Sequence, residues 1–123
     1  MLFRSVRETL KLVHGKALNL TGSTNISQLA SLLTRCRMLI SNDSGPVHLA
    51  SAVGTPAISI FTRNQPGINP QRWAPLEPRS KAVCVPLDMK PSFKKAGSAE
   101  PEYLQLLKPE AVIEEVDALY KLC

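Results

Sequence analysis

Ser41-Asn42-Asp43-Ser44-Gly45-Pro46-Val47-His48-Leu49-Ala50-Ser51-Ala52-Val53-Gly54-Thr55-Pro56 lies between two short apolar runs, Met38-Leu39-Ile40 and Ala57-Ile58-Ser59-Ile60-Phe61. Both runs are strand-sized, so the stretch reads as strand, loop, helix, strand. Pro46 fits the first position of the helix, where its missing N–H costs nothing, and Gly54 fits the residue just past the helix end. Ala50, Ser51 and Ala52 are small enough to let that helix approach a sheet closely. Its free N–H groups would then face the crevice outside the carboxyl end of the strand, where open α/β sheets bind ligands. A turn built of small polar groups at that place is suited to an anion.

The rhythm extends on both sides. Leu2, Phe3, Val6, Leu10 and Val13 recur at helical spacing, with Arg4, Arg7, Glu8 and Lys11 largely opposite, and Gly15 ends this first helix near His14. Ala17 to Leu20 reads as a short strand and Thr21 to Thr24 as a turn. Asn25 with Gln28 forms a capping-box pattern for a second helix, whose buried stripe is Ile26, Leu29, Ala30, Leu33 and Cys36. Beyond Phe61 the chain turns to loop, because seven of its ten prolines fall from Pro66 to Pro101, with Ala82 to Val85 suggesting one more strand. Pro109 opens a last helix with the apolar stripe Val112, Ile113, Val116, Leu119 and Tyr120. Strands alternating with helices through short turns predict an α/β fold, a layered and mainly parallel sheet. An uncovered edge of such a sheet invites a second copy, and the first helix is the candidate interface of a homodimer.

The 123 residues are about one domain, and 44% apolar with 20% charged residues is a globular composition. No signal peptide or membrane-length apolar run is present, which predicts a cytoplasmic protein. Cys36, Cys84 and Cys123 are odd in number and lack metal-ligand spacing, so reduced structural thiols are expected. The net charge of +5 is concentrated in Arg63, Arg72, Arg79, Lys81, Lys90, Lys94 and Lys95, opposed there only by Glu77 and Asp88. Such a bias attracts phosphorylated sugars, anionic lipid headgroups at a peripheral membrane contact, or nucleic acid. No finger spacing, ribonucleoprotein motif or recognition helix accompanies it, which argues against nucleic acid and for a solvated surface.

Within the central loop, Ser44 and Gly45 are the phosphate-contact candidates: glycine admits close backbone approach, and the following N–H groups meet anionic oxygens. The plainer alternative is a turn that merely starts a helix. Asp43 fits a helix cap. His48, near the first helical turn, either supports the loop or is a structural histidine, and it has no partner at metal-ligand spacing. Ser44 with His48 makes no hydrolytic triad, since neither a nucleophile elbow nor an orienting acid is present. Trp73 beside Arg72 packs the proline-rich loop or stacks on a ligand.

Asp43-Ser44-Gly45-Pro46-x-His48-Leu49-Ala50, with Gly54-x-Pro56 and Ile60-Phe61, resembles the C-terminal half of family 9 glycosyltransferases, which include the lipopolysaccharide heptosyltransferases. Leu20-Thr21-Gly22, Gln28-Leu29-Ala30, Pro70 and Arg72-Trp73 extend the similarity, so that about half the chain carries it. The resemblance implies a Rossmann-like part of the C-terminal lobe of a GT-B glycosyltransferase. Residues 1–123 would then be a partial nucleotide-sugar-binding domain without the N-terminal acceptor lobe. It implies an inverting transfer, heptose from ADP-heptose to lipopolysaccharide core, without a cofactor. Substrate-binding roles fall on Asp43, Ser44, Gly45, Pro46 and His48, with Asp43 accepting from donor-sugar hydroxyls. No catalytic residue is implied here, because the family base resembles an aspartate of the other lobe, and the chain alone is expected to be inactive. Thr62 departs from the glycine many members carry there, and Thr62 and Arg63 are further donor-contact candidates. A non-catalytic α/β nucleotide-binding or oligomerisation module is the alternative.

Overall fold

The computed structural model describes residues 2–61, 70–84 and 106–122. In chain order the elements are α1 (Leu2–Leu12), α2 (Ile26–Leu33), β1 (Leu39–Asn42), α3 (Gly45–Ala52), β2 (Ala57–Phe61), α4 (Pro70–Trp73), β3 (Lys81–Cys84) and α5 (Pro109–Leu122). The three strands form one parallel sheet in the order β1-β2-β3, with Ile40 opposite Ile58 and Ile60 opposite Val83. The α/β class and the parallel sheet read from the sequence are therefore present.

β2 is the middle strand, and its apolar run follows from that position. A strand covered on both faces needs apolar side chains at successive positions rather than at alternate ones. Leu33, Val47, Ala50 and Ala57 close one face, with α3 lying on β1 and β2 and α2 behind it. Ile58, Val83 and Leu119 close the other, where α5 lies on β2 and β3. Burying a side chain such as Ile58 fully contributes about 1.5–3 kcal/mol, and Ile58 and Phe61 are both buried. The outer edge of β1 has no strand beside it among the described residues, and Ile40 is half-exposed there.

Several sequence expectations change. Ala17 to Leu20 is not a strand: an extended segment needs a neighbour to take its N–H and C=O groups. Instead the Asn19 Oδ1 accepts the Thr21 N–H at 3.0 Å, and the Ser23 N–H reaches Leu20 O at 3.0 Å across the turn. The capping box on α2 is present in full, with Asn25 and Gln28 exchanging side-chain-to-backbone bonds of 2.9 Å. The stripe behind it is narrower than expected, however, because α2 stops at Leu33. Cys36 lies past the helix end and is exposed, as is Ile26 at the first turn. On α5, Leu119 is buried while Ile113 and Tyr120 are exposed, and Tyr120 lies under the Arg37 guanidinium at 4.7 Å. α1 ends at Leu12, so His14 lies beyond it, and Val13 is exposed. Among the described residues no helix is long and apolar enough to cross a membrane.

Candidate functional site at the start of the third helix

All three strands run the same way, so Asn42, Phe61 and Cys84 end at one edge of the sheet. The loop 43–44 lies over that edge and is fixed to it by the Asp43 N–H, which donates to Ile60 O at 3.0 Å. α3 then begins one residue earlier than the sequence suggests. Gly45 is its first residue and Pro46 its second, with Ser44 as the N-cap.

The cap is unusual in what it omits. An N-cap serine ordinarily turns its hydroxyl oxygen to the N–H of the second or third helical residue. Ser44 makes no such bond. Its hydroxyl donates to Asn42 O at 2.9 Å and lies 3.2 Å from the Ser41 hydroxyl, which itself donates to Asn42 O at 3.0 Å. Asp43 does not replace it, since its half-buried carboxylate makes no hydrogen bond among the described residues. The cap reading of Asp43 is thus corrected: Ser44 holds the cap position, with extended backbone at φ −161° and ψ 169°.

The remaining donors can be counted. Pro46 has none, and the Val47 N–H turns back to Ser44 O at 3.0 Å. The adjacent N–H groups of Ser44 and Gly45 have no acceptor among the described residues. They stand at the positive end of the helix dipole. A Cβ added at Gly45 would meet nothing within 4 Å, and its φ is not in the left-handed region. The fold itself therefore does not require glycine at position 45, and the space beside its backbone is open to a ligand.

His48 is on the next turn of α3, exposed, with its ring edge-on to Trp73 at 6.1 Å and an interplanar angle of 65°. The Arg72 guanidinium lies over the same indole at 5.5 Å. The Trp73 ring thus meets His48 at the start of α3, a contact different from the packing of the proline-rich loop or the ligand stacking read from the sequence. Ser44, Gly45, Pro46 and His48 are thus brought together with Asp43 at one corner of the sheet. Thr62 and Arg63 lie outside the described residues, as do Lys90, Lys94, Lys95 and Cys123. No three His, Cys, Asp or Glu side chains converge as a metal site among the described residues.

Sequence reasoning missed two groups. Ser41 was read only as part of the motif, and a serine at a strand end carries no signal of its own. Glu77 and Arg79 were read as surface charges, yet Glu77 is buried at 9% exposure and organises the approach to β3. Arg79 Nε donates to its Oε1 at 2.7 Å, while the Arg79 N–H and the Ser80 hydroxyl both donate to Oε2 at 3.0 Å. Ser80 Oγ in turn accepts the Ala57 N–H at 2.8 Å, and Arg79 Nη2 donates to Gly54 O at 3.1 Å. Burial acts to raise the Glu77 pKa, but the hydrogen bonds from Arg79 and Ser80 and the Arg79 charge outweigh it, leaving it lowered. The proline-flanked spacing Glu77-Pro78-Arg79-Ser80 was the signal available.

The profile of glycosyltransferase family 9 (heptosyltransferase) matches residues 4–103. The chain is 35% identical over 80 residues to the lipopolysaccharide core heptosyltransferase OpsX of Haemophilus influenzae, covering 65% of this chain and 22% of that protein. It is 28% identical over 103 residues to lipopolysaccharide heptosyltransferase 2 of Escherichia coli K12, covering 82% and 28%. With lipooligosaccharide heptosyltransferase 2 of Campylobacter jejuni the identity is 29% over 125 residues, covering 98% and 37%. The chain thus spans about a fifth to a little over a third of the length of these relatives. No solved structure gives a significant match. With the family profile covering most of its length, and its motif folded into a parallel α/β sheet, the chain belongs to glycosyltransferase family 9.

Proposed function

We propose that this chain is the donor-binding part of an inverting glycosyltransferase, taking a nucleoside-diphosphate sugar for transfer to a lipopolysaccharide core, the sugar a heptose by analogy with the relatives' names and its carrier ADP as the family resemblance implies. The observation that carries this reading is the pair of N–H groups at Ser44 and Gly45 that have no acceptor among the described residues, beside open space, in a family whose relatives are named heptosyltransferases. In such a transfer an acceptor hydroxyl attacks the anomeric carbon and the nucleoside diphosphate departs. Negative charge then grows on the leaving phosphate, and backbone donors at a helix start stabilise it without reorganising. Asp43, adjacent but negative, suits the sugar hydroxyls rather than the phosphates. His48, Thr62 and Arg63 are the further contacts of this reading, and the cytoplasm is its compartment.

Proximity and proton transfer supply much of such a rate, and this reading assigns the acceptor site and base to a partner lobe. The 123-residue chain is therefore expected to bind donor without transferring it. The open edge of β1 is where this reading places a second copy or the remainder of the lobe.

Calorimetry with ADP and ADP-heptose tests the site. Wild type is expected to bind, and Gly45→Val to lose at least tenfold in affinity at unchanged fold, because the new side chain fills the open space beside the backbone. Equal affinities for the two proteins would remove the assignment.

A further inference from the structure

Ser41 stands at the end of β1, half-buried, on the same face of the sheet as Ala57 and Ser59. Nothing in the donor-binding reading uses it. Its hydroxyl nevertheless touches both groups that decide where the Ser44 side chain goes, the Asn42 carbonyl at 3.0 Å and Ser44 Oγ at 3.2 Å.

Two hydroxyls hold two hydrogens between them, and three contacts join Ser41, Ser44 and Asn42 O. When one hydrogen lies between the two hydroxyls, Ser41 bonds Ser44 Oγ directly and holds it on the strand side of the loop; when both point at Asn42 O, that carbonyl alone does so. This matters because the alternative for Ser44 is local and ordinary. As N-cap it can rotate to accept from the third helical residue, Val47, whose N–H then shares or leaves its bond to Ser44 O, since Pro46 removes the second as a donor. In that rotamer the side chain moves over the start of α3, the space an anion at Ser44 and Gly45 requires.

We infer that Ser41 is a positioning residue: its hydroxyl holds the Ser44 side chain against β1 and so keeps Ser44 from capping its own helix, leaving the start of α3 open to a nucleoside diphosphate. This inference rests on the donor-binding reading above, which it deepens. The competition is between two weak local arrangements, so one hydroxyl is enough to bias it.

The test compares Ser41→Thr with Ser41→Val, two side chains of one shape that differ by the hydroxyl, both at home in a strand. Calorimetry with ADP on the full chain is expected to leave Ser41→Thr within twofold of wild type and to weaken Ser41→Val about three- to tenfold, the range of one hydrogen bond. Backbone amide resonances of Ser44 and Gly45, recorded without ligand, are expected to move in Ser41→Val and stay in place in Ser41→Thr. A Ser41 with only a packing role would affect the thermal midpoints and leave the ADP affinities of the two variants equal, which would overturn the inference. If wild type binds ADP, Gly45→Val does not, and the two Ser41 variants match, the inference alone fails. If wild type itself does not bind ADP, the donor reading fails and takes the inference with it.

Discussion

The two ends of α3 are built to opposite rules. At its carboxyl end the carbonyls of Ala50 and Ser51 find partners: Gly54, at φ +76°, closes a Schellman motif in which the Gly54 N–H reaches Ser51 O at 3.2 Å and the Thr55 N–H reaches Ala50 O at 2.9 Å. Around it, Thr55 Oγ1 donates to Leu33 O at 2.8 Å, and Arg79, Glu77 and Ser80 fasten Gly54 and Ala57 to the approach to β3. At the amino end the N-cap hydroxyl is turned away, a proline removes one donor and two N–H groups stand without an acceptor among the described residues. One end is satisfied internally and carries stability. The other leaves its donors in the state that the proposed donor site needs.

The largest effect is expected where the satisfied end is anchored. Glu77→Ala leaves the Ser80 hydroxyl, the Arg79 N–H and the Arg79 guanidinium without their common acceptor. Because Arg79 is 46% exposed, the ion pair itself is screened and adds little. The cost lies in the hydrogen bonds, about 1–3 kcal/mol. Urea unfolding followed by far-ultraviolet circular dichroism measures it, and a loss below about 0.5 kcal/mol would mean that this anchor is decorative. ADP affinity of the folded variant should match wild type.

The same substitution made at both ends gives the sharpest contrast. Gly54→Ala forces a Cβ into the left-handed region and costs about 1–2 kcal/mol. Gly45→Ala places a Cβ where nothing lies within 4 Å, in backbone an alanine adopts freely, and should leave stability unchanged or raise it by up to about 0.5 kcal/mol. Paired unfolding curves check the sign. A Gly45→Ala protein destabilised as much as Gly54→Ala would erase the distinction between the two ends.

Much of this was readable beforehand because it is local. The strand-loop-helix-strand order around 41–61, the Asn25 and Gln28 capping box and the role of Gly54 each depend on residues within a few positions of one another. The start of α3 was placed one residue late, because proline is welcome at either the first or the second helical position. The Ala17 to Leu20 strand failed for a non-local reason, since a strand exists only beside another. The Glu77 clamp failed likewise: its acceptor and donors are close in sequence, but the groups they fasten, Gly54 and Ala57, lie more than twenty residues upstream. The donor set at Ser44 and Gly45 was legible as a motif, whereas the missing cap bond that leaves it open depends on one serine rotamer.

The smallest expected effect is a pH dependence at the satisfied end. The lowered pKa of Glu77 in the folded chain means that folding favours its carboxylate. That contribution is fully present above the ordinary glutamate pKa of the unfolded chain, about 4.3. It is lost as pH falls through the lower folded value. Wild type should therefore lose stability between about pH 5 and pH 3 more steeply than Glu77→Gln, which keeps an acceptor oxygen but cannot titrate. Thermal midpoints taken across that interval compare the two, and the gap should narrow as the pH falls. Parallel acid slopes for wild type and Glu77→Gln would show that Arg79 and Ser80 do not favour the charged form, and the clamp would then have to be ascribed to packing alone.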